Sequence, residues 1–211
     1  AVRERLGRWE FPVEGVVVMD GQDEGVYAWI TLEGGNATWA VLDLGGASTQ
    51  IAFEPRGAVE ALLDEQDHRH ELTFAEKTHV LYQHSFLGYG LMRARQHVHQ
   101  LVEFMATIRA SGNKTEETIG NACIAMGMQR LVELKDRNVT MVGDDVGSFD
   151  GCLRIMELVM AKDAICKTKP CSFNGVYQPS VLETFPTGPV LLLSYFYDRL
   201  AFHPRRSQLP H

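Results

Sequence analysis

A glycine pair set between two apolar runs constrains this chain more than any other feature. Trp39-Ala40-Val41-Leu42 leads into Asp43-Leu44-Gly45-Gly46-Ala47-Ser48-Thr49-Gln50, and Ile51-Ala52-Phe53 leads out. Apolar and alternating residues on both sides of a Gly-Gly read as strand, turn, strand. Residues 39–53 are therefore expected to form a hairpin whose glycines tolerate φ > 0 and carry no Cβ between backbone and ligand. A carboxylate ends the first strand, and Ser48 and Gln50 open the second. Consecutive N–H groups in such a turn can form a concave anion site. The expectation is a phosphate held by backbone, with Asp43 alongside to hold a metal ion or its water. The alternative is a plain hairpin turn.

A second cluster lies upstream. The apolar run Gly15-Val16-Val17-Val18-Met19 reads as a buried strand, and Gly21-Gln22-Asp23-Glu24-Gly25-Val26-Tyr27-Ala28-Trp29-Ile30-Thr31 follows it. Asp23 and Glu24 thus fall at a strand-to-helix junction. Carboxylates there are favoured by the helix macrodipole, so a helix cap is one reading. A general base pointing into a cleft is the other.

Taken together, DLGGASTQI and GQDEGVYAWIT resemble two signature regions of the apyrases, the nucleoside di- and triphosphate diphosphohydrolases. Tyr82–Leu91 (YQHSFLGYGL), Cys171–Pro179 (CSFNGVYQP) and Ser194–Arg199 (SYFYDR) resemble the Golgi guanosine-diphosphatase branch, particularly its fungal members. The resemblance spans about residues 1–203. It implies roles by position. Glu24 matches the base that deprotonates the attacking water, and Ser48 and Gln50 match the residues that orient this water. Gly45, Gly46 and Ala47 match the cradle for the terminal phosphate. Asp43 matches the carboxylate that holds Ca²⁺ or Mg²⁺ through its hydration shell. The implied reaction is hydrolysis of GDP or UDP to the monophosphate and phosphate, in support of lumenal glycosylation. Positioning and charge neutralisation carry most of such a reaction.

The resemblance is partial. The family's first phosphate loop, an Asp-Ala-Gly-Ser-Ser-Gly-Thr-Arg-type segment, has no match here, and neither does its C-terminal Gly-Trp turn. The chain looks like the middle-to-late half of a longer enzyme. Residues 1–31 read as the tail of a first lobe carrying the base, and residues 32–211 as a second lobe, incomplete at its C-terminus. The isolated chain is expected to be feebly active at best. The other readings are a non-catalytic phosphate-binding lobe and another phosphatase of the superfamily, such as a polyphosphatase.

The chain has 211 residues and a net charge of −7, which disfavours nucleic acid and anionic membranes as partners. No run is apolar for the ~18–20 residues a membrane span needs; the resemblance implies that an anchor, if the protein has one, lies upstream. Four cysteines, Cys123, Cys152, Cys166 and Cys171, allow three pairings. The family resemblance favours Cys123–Cys152 and Cys166–Cys171. Free thiols in a cytosolic protein are the alternative. Zinc is disfavoured because no CxxC pair or nearby histidine completes a ligand set. Sequons at Asn36, Asn113 and Asn138, with the even cysteine count, favour the Golgi or endoplasmic reticulum lumen.

Further elements are expected at Glu71–Phe74 and His79–Ser85 (strands), Leu87–Ala110 (helix), Val132–Leu134 with Val139–Val142 (a small hairpin) and Cys152–Met160 (helix). Asp64–His70 reads as a solvated turn. Val190–Phe196 reads as a buried strand, ending in Tyr195, Phe196 and Tyr197 where open α/β sheets bind ligands. Tyr195 and Tyr197 are candidates to stack on a nucleobase, and core filling is the alternative. Asp198 and Arg199 are expected to pair with each other or with backbone. The fold class expected is an actin-like, ribonuclease-H-type α/β lobe, a mixed sheet flanked by helices.

Overall fold

The computed structural model describes residues 2–8, 12, 16–32, 38–57, 68–109, 117–135, 137–143 and 145–200. The glycine turn does join two strands, β1 (Ala40–Leu44) and β2 (Ser48–Phe53). They pair antiparallel with Asp43 opposite Gln50 and Leu44 opposite Thr49. β3 (Arg69–Phe74) and β4 (Lys77–Leu87) form a second hairpin, and β4 pairs antiparallel with β2. A later strand, β8 (Val190–Ser194), runs parallel to β1 on its other side. The order is β3-β4-β2-β1-β8. Three antiparallel neighbours, β1, β2 and β4, with a parallel strand beside β1 make the ribonuclease-H-type arrangement, and β3 extends it at the edge of β4. The fold is mixed α/β, as the sequence suggests.

Side chains alternate between the two faces of this sheet. Ala40, Ile51, Phe53, Tyr82 and Phe86 point to one face, where Tyr177 and Phe185 from the C-terminal segment complete the core. The Tyr82 hydroxyl donates to the Tyr177 carbonyl at 2.7 Å, so its burial leaves the donor satisfied. Val41, Ala52 and Leu81 point to the other face and are covered by Trp29 of α2 (Gly21–Ile30).

α3 (Leu91–Arg109) carries Ala94, Val98 and Val102 on one side, with Leu101 and Met105 beside them, as the helical spacing suggests. This side packs on a three-stranded sheet of order β5-β7-β6, where β5 is Thr118–Gly120, β6 Gln129–Glu133 and β7 Asn138–Val142. The β6–β7 hairpin matches expectation. β5 does not, because three residues with a single buried side chain, Ile119, leave no periodic signal. α4 (Phe149–Val159) closes this second core, and Cys123–Cys152 ties it to the loop after β5. Cys166–Cys171 closes the loop before the 3-10 turn Phe173–Gly175. Both pairings are those the resemblance implies. α1 (Val2–Leu6), α5 (Val181–Thr184) and α6 (Tyr195–Leu200) are short.

Three expectations need correction. Val16–Met19 is not a buried strand. It has no strand partner among the described residues, and Val17 and Val18 are 87% and 100% exposed. A strand forms only where a neighbour takes its N–H and C=O groups. β8 is neither central nor fully buried. It stops at Ser194, lies at the sheet edge and leaves Val190 and Leu192 exposed, so its apolar run reflects one covered face. Tyr195, Phe196 and Tyr197 accordingly begin α6 instead of ending a strand. Asp198 and Arg199 form no ion pair among the described residues. The Arg199 guanidinium lies 5.9 Å from the Tyr195 ring centroid, a cation–π contact. Of the Asp64–His70 stretch, residues 64–67 lie outside the described residues; His68 is half-buried, its ring stacked on Tyr82. Asn138 is exposed at the start of β7, while Asn36 and Asn113 lie outside the described residues.

Trp29 is fully buried between α2 and the sheet. Trp29→Ala should cost about 3–5 kcal/mol, the usual range for a large aromatic removed from a core. Urea unfolding followed by circular dichroism measures it. A loss below about 1 kcal/mol would mean that α2 is not docked as described.

Candidate active site at the glycine turn

The turn is held from below by its carbonyl groups. Gly45 O accepts from Leu91 N, Gly46 O from both Met92 N and Arg93 N, and Ala47 O from Gly88 N, all within 3.1 Å. The first N–H groups of a helix lack intrahelical partners. Here the turn supplies them, so α3 starts directly on it. The Gly45 N–H, expected in the cradle, already donates to Ser48 O at 3.0 Å, whereas with the carbonyls drawn inward the Gly46 and Ala47 N–H groups donate to nothing among the described residues. That is the condition for an anion cradle.

Neither Gly45 nor Gly46 adopts positive φ. At Gly45 smallness matters for a different reason from the one expected: a Cβ there would come within 3.2 Å of Ser48 O. Gly90 is tighter still. A Cβ there would lie 2.4 Å from Ser48 N and 2.6 Å from Ala47 N. The Gly88-Tyr89-Gly90 segment is thus a platform pressed against the turn, and the Thr49 hydroxyl pins it by donating to Tyr89 O at 2.9 Å. Sequence reading assigned Gly90 no role, although a second glycine two residues after Gly88 was the available signal.

Strand register brings a polar row together. Asp43 on β1 faces Gln50 on β2, and Gln50 faces Ser85 on β4. Cross-strand partners share a sheet face, and Ser48, two residues before Gln50, shares it too. Gln50 is 1% exposed. Its Nε2 donates to Ser48 Oγ at 2.7 Å and to Ser85 Oγ at 3.0 Å, which leaves both hydroxyl hydrogens free to point elsewhere. Ser85 was not recognised from the sequence, because only the β2–β4 register connects it to Gln50. Gln50 Oε1 and Asp43 Oδ1 are buried without a hydrogen-bond partner among the described residues. A buried acceptor left so costs roughly 1–3 kcal/mol, which points to a missing ligand or water.

α2 brings the base candidate to this row. Its N-cap is Asp20, whose carboxylate accepts from Gln22 N at 2.8 Å, so Asp23 and Glu24 are not needed for capping. Gly21 and Gly25 lie one turn apart and face the sheet. A Cβ on Gly21 would come within 2.5 Å of Ser85 Oγ, and one on Gly25 within 3.5 Å of Gln50 Cβ. Gly21 lets the helix end settle onto the polar row, while at Gly25 a Cβ would make only ordinary contact. Glu24, in the first turn, keeps its carboxylate exposed. Its pKa is raised, first by partial burial and then by the charge of Asp43, so the two carboxylates feel each other.

Among the described residues no cluster of three or more His, Cys, Asp or Glu could bind a metal directly. Asp43 with its orphaned Oδ1 is a donor suited to a hydrated hard cation, which prefers oxygen and retains its waters. Ser194 pairs with Leu44, so Tyr195 enters α6 beside the end of β1 from which the turn springs. Tyr197 is 64% exposed.

The turn with its unpartnered N–H groups, and Asp43 paired with Gln50 beside it, have the chemistry of an anion site. The chain matches the GDA1/CD39 (nucleoside phosphatase) family over residues 2–208 and belongs to it. It is 42% identical to the probable guanosine-diphosphatase of Aspergillus fumigatus, over 94% of this chain and 46% of that protein. It is 39% identical to the guanosine-diphosphatase of Schizosaccharomyces pombe, over 95% of this chain and 40% of that protein. The Golgi apyrase of Saccharomyces cerevisiae is 27% identical over 82% of this chain and 31% of its own length. The chain therefore spans less than half the length of these relatives.

Two substitutions separate packing from chemistry. Gly90→Ala should destabilise the fold by about 1–3 kcal/mol, the range for overpacking against backbone. Gly46→Ala, whose Cβ meets only Met92 Cγ at 3.7 Å, should unfold like the wild type. Equal urea midpoints for both would contradict the platform. Glu24→Gln tests the electrostatics. A raised folded-state pKa means that the ionised form is the less favourable in the fold. The cost is present above the folded pKa and absent below about pH 4.3, where the unfolded chain is itself protonated. The variant should melt higher than wild type at pH 7.5, with the difference shrinking as pH falls to about 4.

Proposed function

We propose that this chain carries the second phosphate loop and the water-activating groups of a nucleoside diphosphatase. The reaction is hydrolysis of the terminal phosphoanhydride of GDP or UDP to the monophosphate and phosphate. The observation that carries this reading is the joining of Asp43, Gln50, Ser48 and Glu24 at the mouth of a turn with free N–H groups. The names of the relatives support the substrate class.

In this reading the Gly46 and Ala47 N–H groups bind the terminal phosphoryl oxygens and stabilise their developing charge. Ser48 and Gln50 orient a water. Gln50 Oε1, otherwise unpartnered, accepts one of its hydrogens, and Ser85 keeps the Gln50 amide in position through Nε2. Glu24 takes the other proton as general base. Its raised pKa moves it toward the pH at which a base works best. Asp43 holds a divalent cation, Ca²⁺ or Mg²⁺, through water. When bound, this ion neutralises phosphate charge. Tyr195 and Tyr197 stack on the nucleobase. Residues 1–31 are the tail of a first lobe that delivers α2, and residues 32–211 the second lobe. The two disulfides and the name of the Golgi apyrase relative support a Golgi-lumenal protein. Among the described residues no helix is long and apolar enough to cross a membrane.

A phosphate-binding lobe without turnover is the second reading, favoured by the share of the relatives that the chain spans. Phosphate release from GDP, UDP, ADP and ATP distinguishes them. The diphosphatase reading expects release that is strongest with GDP and UDP and stops with chelator. Glu24→Ala should then lower turnover at least about a hundredfold while nucleotide binding persists, as for loss of a general base. Binding without release would establish the lobe reading. Normal turnover in Glu24→Ala would remove Glu24 as the base.

A further inference from the structure

A groove of about 660 Å³ lies between α3 and β6, outside the residues given roles above. Arg95, His99, Arg130 and Lys135 line it, with Glu133 as its one carboxylate. Arg95 and His99 are four residues apart on α3 and share a helix face; Arg130 reaches the groove from β6. Three permanent cations against one acid is unusual on a chain of net charge −7. None of the three is in an ion pair among the described residues, where the recorded pairs are Arg69–Glu71, His79–Glu54 and Arg137–Glu103. Arg95 donates only to the Met92 thioether, at 3.1 Å. The crowding is felt by His99, whose pKa is lowered by burial and then by Arg95 and Arg130.

We infer that this groove is a second anion site, which binds a phosphate-bearing small molecule through Arg95, Arg130 and Lys135. Unpaired cations on facing walls focus a positive potential, and a bound anion relieves their mutual repulsion. Guanidinium groups match phosphate oxygens through paired N–H donors, and Lys135 adds a point charge. A charge of three cations less one carboxylate suits a dianion such as a phosphate monoester. The groove volume lies within the range of small-molecule sites. It also touches the glycine turn. Met92 lines the groove, its N–H donates to Gly46 O, and its side chain abuts Gly46. An occupant would therefore sit one residue from the turn without occupying it. This inference stands independently of the diphosphatase reading.

The test is a proton NMR titration of the His99 ring, assigned with His99→Gln, in the full chain. Sodium phosphate and guanosine monophosphate are added separately, each against sodium chloride of equal ionic strength. The His99 signal should shift saturably with the phosphate-bearing anions and not with chloride. Arg130→Ala/Lys135→Ala should weaken that binding at least about tenfold, a loss of ~1.4 kcal/mol. Arg95→Gln should weaken it too. Asp43→Ala should leave it unchanged. Equal saturation by both anions identifies phosphate alone as the ligand, and tighter binding of guanosine monophosphate identifies a nucleotide. Arg130 and Lys135 are exposed, and melting curves of the variants verify their fold. A shift that follows ionic strength alone, persists in both groove variants, or disappears in Asp43→Ala would overturn the inference.

Discussion

Everything in this lobe hangs on the turn at Gly45–Ala47 giving its carbonyls to α3. A helix must satisfy its first N–H groups, and Leu91, Met92 and Arg93 do so on Gly45 and Gly46. That bonding fixes three things at once. It leaves the Gly46 and Ala47 N–H groups without a partner among the described residues. It anchors the start of the helix that links the five-stranded sheet to the three-stranded one. It also sets the groove between α3 and β6 immediately beside the turn. Gly90 permits the contact, because any side chain there would push the two backbones apart.

The second constraint is a polar row inside an otherwise apolar interface. On one face of the sheet Val41, Ala52 and Leu81 are covered by Trp29, and a few residues along the same strands stand Asp43, Gln50 and Ser85. A helix covering that face could simply have buried it. Instead, Gly21 thins the helix over the polar groups, and its N-terminal turn presents Glu24 at their edge. Gln50 Oε1 and Asp43 Oδ1 have no partner among the described residues, which suits them to accept from a water or ligand.

Much of this was legible from local pattern. The 39–53 hairpin, the β3 and β4 strands, α3, α4 and the β6–β7 hairpin all show the periodicity that their burial produces. The clustering of Asp43, Ser48 and Gln50 follows from a single turn. Failures occurred where the deciding partner is distant in sequence. Val16–Met19 has the composition of a buried strand and no neighbour to pair with among the described residues. Val190–Phe196 reads as one apolar run, yet the chain leaves the sheet at Ser194, in a left-handed conformation with φ 55°, and coils into α6. β5, with three residues, has nothing periodic to detect.

The sequence alone determined the hairpin and the family, because short motifs and local spacing record them; the pairing of the four cysteines it left open, and only the family resemblance implied it. Only the tertiary structure decided that Ser85 joins Gln50, that Gly21 and Gly90 are small for close approach, that neither turn glycine needs positive φ, and that Arg95 and Arg130 face one groove. Each of these depends on strand register or helix docking between segments tens of residues apart. A local pattern specifies which face a side chain takes, but it carries no information about what that face will meet.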